Sequence, residues 1–328
     1  FRPYDQIRYA GIYNNSNLNG LFYLVVLAAV FGKILYVTKE NKHKFWRVYY
    51  WLGAGCIYSF IFITIGRTTW LVSFVLGLLF LGFYQYVRHK KQYIRNGLLL
   101  ILCMGMMFPV IFGMTRYFPP VFHHPVWFWG EWSDQRVHSW DAWNSEKYVN
   151  LDTVITNALG RTTEISRLIF GKTPLTLKVY AAEIEKNPAI SIEEANDAVL
   201  VRKTIYTTYL KNLNLMGHRQ DDQGFHLTSI YWVGHAHNIY LQYATDFGII
   251  MILCFIGFNV VSIVRLLKRY VDSKLVEAAV ALFLILIPLL FGMLEYSWGS
   301  GSITIILLFF GWQSVIQNNK QEKRITSK

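Results

Sequence analysis

GLFYLVVLAAVFGKILYV, residues 20–37, carries one charge, Lys33, in eighteen positions. A run of that length and apolarity matches the helix needed to cross a bilayer's hydrocarbon core, about 17–25 residues. In lipid every backbone amide must be satisfied within its own segment, so the run predicts a helix. Six further blocks repeat the pattern: 48–65, 70–87, 97–114, 247–264, 275–294 and the shorter 302–316. Composition agrees. Of 328 residues 53% are hydrophobic and 16% charged, against about 25% charged in a soluble domain. The expectation is an all-α integral membrane protein of about seven transmembrane helices.

The net charge of +12 first suggests nucleic acid, but its distribution excludes that partner. Sixteen of the thirty-two basic residues fall in four short segments: Lys39, Lys42, Lys44 and Arg47; Arg88, Lys90, Lys91 and Arg95; Arg265, Lys268, Arg269 and Lys274; Lys320, Lys323, Arg324 and Lys328. These segments lie on alternate connections, so the positive-inside rule assigns all four to the cytoplasm. The remaining connections lie outside, among them the turn 66–69 and a stretch of about 120 residues, 115–236. That stretch is nearly neutral, with twelve basic and thirteen acidic residues. The chain thus divides into four spans (1–114), a large, partly helical extracytoplasmic loop (115–236), three spans (237–317) and a basic cytoplasmic tail (318–328). Cys56, Cys103 and Cys254 all fall within spans, so no disulfide is expected in the loop. The chain opens on Phe1 in a polar segment assigned to the outside, and further spans are expected ahead of it.

The outer loop is too long to be structureless. Residues 118–143 hold Trp127, Trp129, Trp132, Trp140 and Trp143, which suit a lid at the membrane interface and also offer faces for stacking on sugar rings. Residues 151–171 and 192–215 show apolar positions at helical spacing, and Ser191 with Glu194 forms a capping-box pattern before the second.

Several polar residues stand out at the outer boundary. Arg67 lies in the turn between the second and third spans, flanked by Gly66, Thr68 and Thr69. A cation there is either an ordinary snorkelling residue or an anion ligand. The positive-inside rule calls for none on that side. Arg202 opens a helical run ending at Gly217, Arg161 and Arg167 lie on the preceding helix, and Arg116 follows the fourth span. An amphipathic helix carries such residues without any site; several guanidinium groups on one outer loop also suit bidentate binding of pyrophosphate. His235 and His237 stand at i and i+2, but no Cys or carboxylate completes a metal-ligand spacing. One histidine at the mouth of a span is the better acid–base candidate. Asp246, in an otherwise apolar run, is costly unless paired or used.

His237-Asn238, nine residues and then Gly248 resemble the signature of the O-antigen ligase and O-antigen polymerase (Wzy-type) superfamily, in which an acid often stands two before the glycine, as Asp246 does. Arg202 to Gly217 is similar to the family helix that starts in arginine and ends in a glycine turn. Gly66-Arg67-Thr68 resembles its small-Arg-Ser/Thr turn. Asn15-Ser16-Asn17 with Gly20 looks like its Asn-Pro-Asn-x-x-Gly lead-in to a span, with Ser in place of Pro. These elements run in family order from Gly11 to Phe255. The departures are that missing proline, Met251 where a small residue is common, and a longer outer loop.

The resemblance implies a GT-C-like helical bundle in the bacterial cytoplasmic membrane. It implies an inverting glycosyltransferase that takes a glycan from a polyprenyl-pyrophosphate donor to a glycan or lipid-linked acceptor hydroxyl at the outer face. No cofactor or metal is expected. Arg67 and Arg202 would stabilise the leaving pyrophosphate, supported by Arg116 or Arg161. His237 would take or orient the acceptor proton, and Asn238 and Asp246 would hold the acceptor. Glu295 is a second candidate base. The competing readings are a polymerase of the same superfamily, a lipid-linked glycan flippase, and a non-enzymatic scaffold.

Overall fold

Each apolar block becomes a helix, as the absence of backbone partners in lipid requires. The computed structural model describes residues 4–5, 8–9, 16–88, 92–121, 198–218, 225–226, 232–295 and 303–326. Four helices follow one another: α1 (Ser16–Lys39), α2 (Lys44–Ile63), α3 (Arg67–Arg88) and α4 (Tyr93–Val121). Later come α5 (Ala198–Lys211), α6 (Ile239–Phe247), α7 (Ile249–Ser273), α8 (Val276–Gly292) and α9 (Ile303–Thr326). Two antiparallel ladders complete the described elements: β1 (Tyr4–Asp5) with β2 (Arg8–Tyr9), and β3 (Phe225–His226) with β4 (Trp232–Val233).

A described helix covers most of each of the seven apolar blocks. Four helices, α1, α3, α4 and α7, are long and apolar enough to cross a membrane. α2 is less apolar because Arg47, Tyr49, Tyr50 and Trp51 dilute its first turns, and α8 and the apolar part of α9, Thr304–Ile316, are shorter. In α1 61% of the most apolar stretch is buried, against 17% in α4 and 22% in α7. α1 is therefore a core helix. Ile94, Leu98 and Ile101 of α4, and Ile250, Leu253 and Phe258 of α7, are exposed. Such faces are unfavourable in water and suit lipid. The described residues are nearly all helical, and four of the helices make the chain a membrane protein.

It divides into two compact units, one of residues 1–158, 262–291 and 301–328 and one of residues 159–261 and 292–300. The first has an aromatic core: Phe31 stacks on Phe80 with centroids 4.0 Å apart, and Phe83 packs on Tyr270 at 4.3 Å. The Tyr270 hydroxyl donates to the Phe83 carbonyl at 2.9 Å, which satisfies a buried polar group beside that ring. Where α2 meets α4, Gly55 and Ser59 form a small-x-x-x-small pair. A Cβ on Gly55 would run into the backbone of Cys103, and Ser59 Oγ donates to the carbonyl of Gly55 at 2.8 Å. Cys56, Cys103 and Cys254 are free thiols on α2, α4 and α7.

Three boundaries differ from the sequence reading. Arg67 is the first residue of α3 rather than a turn residue. The helix over the block 247–264 begins at Ile249, because Gly248 separates it from α6, and it continues to Ser273. The expected helix at 192–215 is described from Ala198 and ends at Lys211. The expected helix at 151–171, the aromatic segment 118–143, Ser191, Glu194 and Arg161 lie outside the described residues.

Candidate functional site

The resembling motifs meet in pairs within each unit. In the first unit, Gly20 of α1 faces the start of α3. A Cβ there would collide with the hydroxyl of Thr69, and one on Gly66 would lie 2.9 Å from the same oxygen. The lead-in glycine and the Gly66-Arg67-Thr68 segment at the start of α3 are thus one packed junction. Ile65 just before it has φ 51°. A β-branched residue in that region is strained and persists only where its surroundings hold it. Arg67 is half-buried at the N-terminus of α3, the end of a helix whose dipole disfavours a cation and favours an anion. Arg116 lies on the last turns of α4.

In the second unit the pairing is tighter. Gly217 has φ +84° and Gly248 φ +89° with ψ 163°, a region open essentially to glycine alone. A Cβ on Gly217 would lie 2.6 Å from the carbonyl carbon of Asp246; one on Gly248 would lie 2.8 Å from the amide nitrogen of Gly217. The backbones around the two glycines are in direct contact. His218 N donates to the Thr245 carbonyl at 2.9 Å, and Ile249 N donates to the Asn214 carbonyl at 3.1 Å. Asn214 Oδ1 accepts from the amides of Met216 and Gly217, closing the turn after α5. This clamp explains why both motifs end in glycine. Gly217→Ala and Gly248→Ala should each cost on the order of 3 kcal/mol, measured as lost thermal stability of the purified protein. Because they disrupt one contact, the double variant should lose less than the sum; strict additivity would refute the clamp.

The clamp sets α5 against the segment that leads into α6. Ile205 and Tyr209 of α5 are buried with Val233 and Ala236, and Tyr206, Phe225 and Leu241 pack around them. Helical spacing then puts Arg202 and Tyr206, four residues apart, on neighbouring positions of α5. The Tyr206 hydroxyl donates to the His237 carbonyl at 3.4 Å. Arg202 Nη2 lies 3.3 Å from Glu295 Oε1, an ion pair spanning 93 residues of sequence.

His237 has φ 50°, a left-handed conformation that costs a non-glycine residue about 1–3 kcal/mol. Its neighbours hold it there. Asn238 caps α6, its Oδ1 accepting from Leu241 N at 3.0 Å, while its Nδ2 donates to the Met293 carbonyl at 2.8 Å. On the other side Gln242 Oε1 accepts from Ala236 N at 2.7 Å. Gln242 Nε2 in turn faces both oxygens of Asp246 at 3.0 Å. The carboxylate accepts only, so it orients the amide of Gln242 with its carbonyl toward Ala236. Asp246, expected from the sequence to hold an acceptor, is linked to the histidine loop through Gln242.

Electrostatics follow from this packing. Burial pushes the His237 imidazole down to about 4, with the neighbouring His235 and the Arg202 cation adding to the shift. The two imidazole rings lie 4.3 Å apart. Burial lowers His235 too. At neutral pH His237 is a neutral imidazole, able to accept a proton. Burial raises the Asp246 carboxyl, opposed by the Gln242 hydrogen bond and by His218. Burial also raises the Tyr206 hydroxyl, while Arg202 lowers it and Glu295 raises it.

Arg202, His237, Asn238 and Asp246, four of the seven residues singled out from the sequence, are brought into one neighbourhood of the second unit. Arg67 and Arg116 belong to the first unit. Sequence reasoning assigned nothing to Tyr206 or Gln242. The signals were a position one turn after Arg202 and positions four after Asn238 and four before Asp246. Among the described residues no group of three or more His, Cys, Asp or Glu side chains is placed to hold a metal ion. No family model, no curated protein and no solved structure matches the chain.

Proposed function

We propose that this protein is an inverting glycosyltransferase of the O-antigen ligase type, with seven spans and its active centre on the extracytoplasmic side of the bacterial cytoplasmic membrane. The donor is a glycan on polyprenyl pyrophosphate; the acceptor is a hydroxyl of a glycan or of a lipid-linked glycan. One observation carries the reading. A half-exposed arginine stands one helical turn from a tyrosine that binds the backbone of a strained, neutral histidine.

In this mechanism the acceptor oxygen attacks the anomeric carbon as the bond from that carbon to the pyrophosphate oxygen breaks. The acceptor's proton passes to His237, which is neutral and desolvated. Negative charge grows on the departing pyrophosphate, and Arg202 offers a guanidinium fork that matches its oxygens. Asn238, Gln242 and Asp246 hold His237 in place. The role given to Arg67 rests on the motif resemblance alone. Arg67→Ala tests it separately from Arg202→Ala.

The experiment is transfer by the purified chain from a polyprenyl-pyrophosphate-linked repeat unit to candidate acceptors, scored for product length. One unit or chain joined to a different acceptor is the ligase result. A ladder of lengthening lipid-linked chains is the polymerase result. No transfer to any acceptor, with a folded and membrane-inserted protein, refutes the enzyme reading.

A further inference from the structure

The proposed donor is an anion, and Arg202 already faces one. Glu295 Oε1 meets Arg202 Nη2 at 3.3 Å, with side-chain exposures of 15% for the glutamate and 38% for the arginine. A guanidinium carries five N–H donors in a planar fork, and this pair engages it at a single nitrogen. Pyrophosphate oxygens engage two N–H groups at once, with more charge. The carboxylate is not a passing surface partner. Met293, two residues earlier, has its carbonyl tied by Asn238, which itself caps α6 beside His237. The backbone that presents Glu295 is thus anchored to the catalytic loop.

We propose that Glu295 is a built-in competitor for the donor's pyrophosphate, its carboxylate holding the guanidinium of Arg202 until the stronger anion displaces it. This inference rests on the reading of Arg202 as a pyrophosphate ligand. It gives Glu295 a regulatory role: the carboxylate orients Arg202 toward the loop of His237 and screens out weakly binding anions. Free carboxylates and single phosphate monoesters must overcome the same pair with less charge or fewer oxygens. Displacement leaves a mostly covered carboxylate next to a polyanion, which weakens donor binding.

The test uses the full chain purified in detergent, with inorganic pyrophosphate titrated calorimetrically. Glu295→Gln keeps shape and hydrogen bonding while removing the charge, and should bind pyrophosphate about tenfold more tightly. Glu295→Ala should gain a similar factor, and Glu295→Asp, with a shorter reach to Arg202, a smaller one. Arg202→Ala should weaken the binding, and adding Glu295→Gln to it should not restore it. Melting of each variant alongside the parent shows whether it is folded, and the alanine variant stands in if the glutamine variant is not. Equal or weaker binding in the folded Glu295 variants overturns the competition while leaving Arg202 as a ligand. Undiminished binding in Arg202→Ala overturns the pyrophosphate reading itself.

Discussion

Under the proposed mechanism, Arg202→Ala should lower glycan transfer by about 10²–10³-fold in kcat, with a smaller effect on donor KM. The asymmetry follows from when the charge appears. In the bound donor the pyrophosphate is already anionic, so part of its attraction to Arg202 is present before the reaction. At the transition state a further charge develops on the departing oxygen, and a positioned guanidinium stabilises it. Arg202→Lys should recover only part of the rate, because an ammonium keeps the charge and loses the planar fork. The alanine variant also leaves the Glu295 carboxylate, 15% exposed, without this counter-charge. Breaking a covered ion pair on one side destabilises a protein by itself. The control is Arg202→Ala with Glu295→Gln, which removes both charges. If that double variant regains stability and remains inactive, the loss is catalytic. If it regains transfer, Arg202 served only to neutralise Glu295.

His237→Ala is expected to cost about 10²–10⁴-fold, the range for a positioned general base. Its pH dependence is the sharper test. The imidazole is held down to about 4 by burial, His235 and Arg202, below the ordinary value of about 6.5. A base acts in its neutral form, so kcat/KM should stay flat through neutrality and fall as pH drops through about 4. A bound pyrophosphate places anionic charge nearby and favours the imidazolium, so the acid limb of kcat should lie higher than that of kcat/KM. The linkage to stability has a definite sign. The folded state binds this proton less readily than the unfolded chain, so the contribution is complete above about 6.5 and declines as pH falls toward 4. His237→Gln should remove that decline. An acid limb near the ordinary histidine value in kcat/KM would show that the histidine is solvated and the loop differently packed.

Positions on the chain differ in how far sequence alone could reach them. Residues 20–37 announce a helix because lipid offers no partner to the backbone, whatever the neighbours are. The same logic placed helices over 70–87 and 97–114. Arg202, His237 and Gly248 were legible through spacing, and Asp246 through the cost of an acid in an apolar run. The break at Gly248 was legible as a glycine but not as a break. What demands glycine there is the backbone of Leu215 and Gly217, 33 and 31 residues earlier in the chain. Gln242 was silent, since a glutamine on a short helix has no meaning until its two partners, Ala236 N and the Asp246 carboxylate, are in place.

By itself the sequence determined the element type, the apolar character of four helices able to cross a membrane, and the alternation of basic connections. Each is a local property, set by transfer of side chains and backbone between water and lipid. Only the tertiary structure decided that Gly217 and Gly248 interlock, that Arg202 finds Glu295, and that His237 is held in a left-handed conformation between Asn238 and Gln242. These depend on contacts between distant segments, where packing and hydrogen-bond geometry within a few ångströms select one arrangement among many that the same local pattern permits.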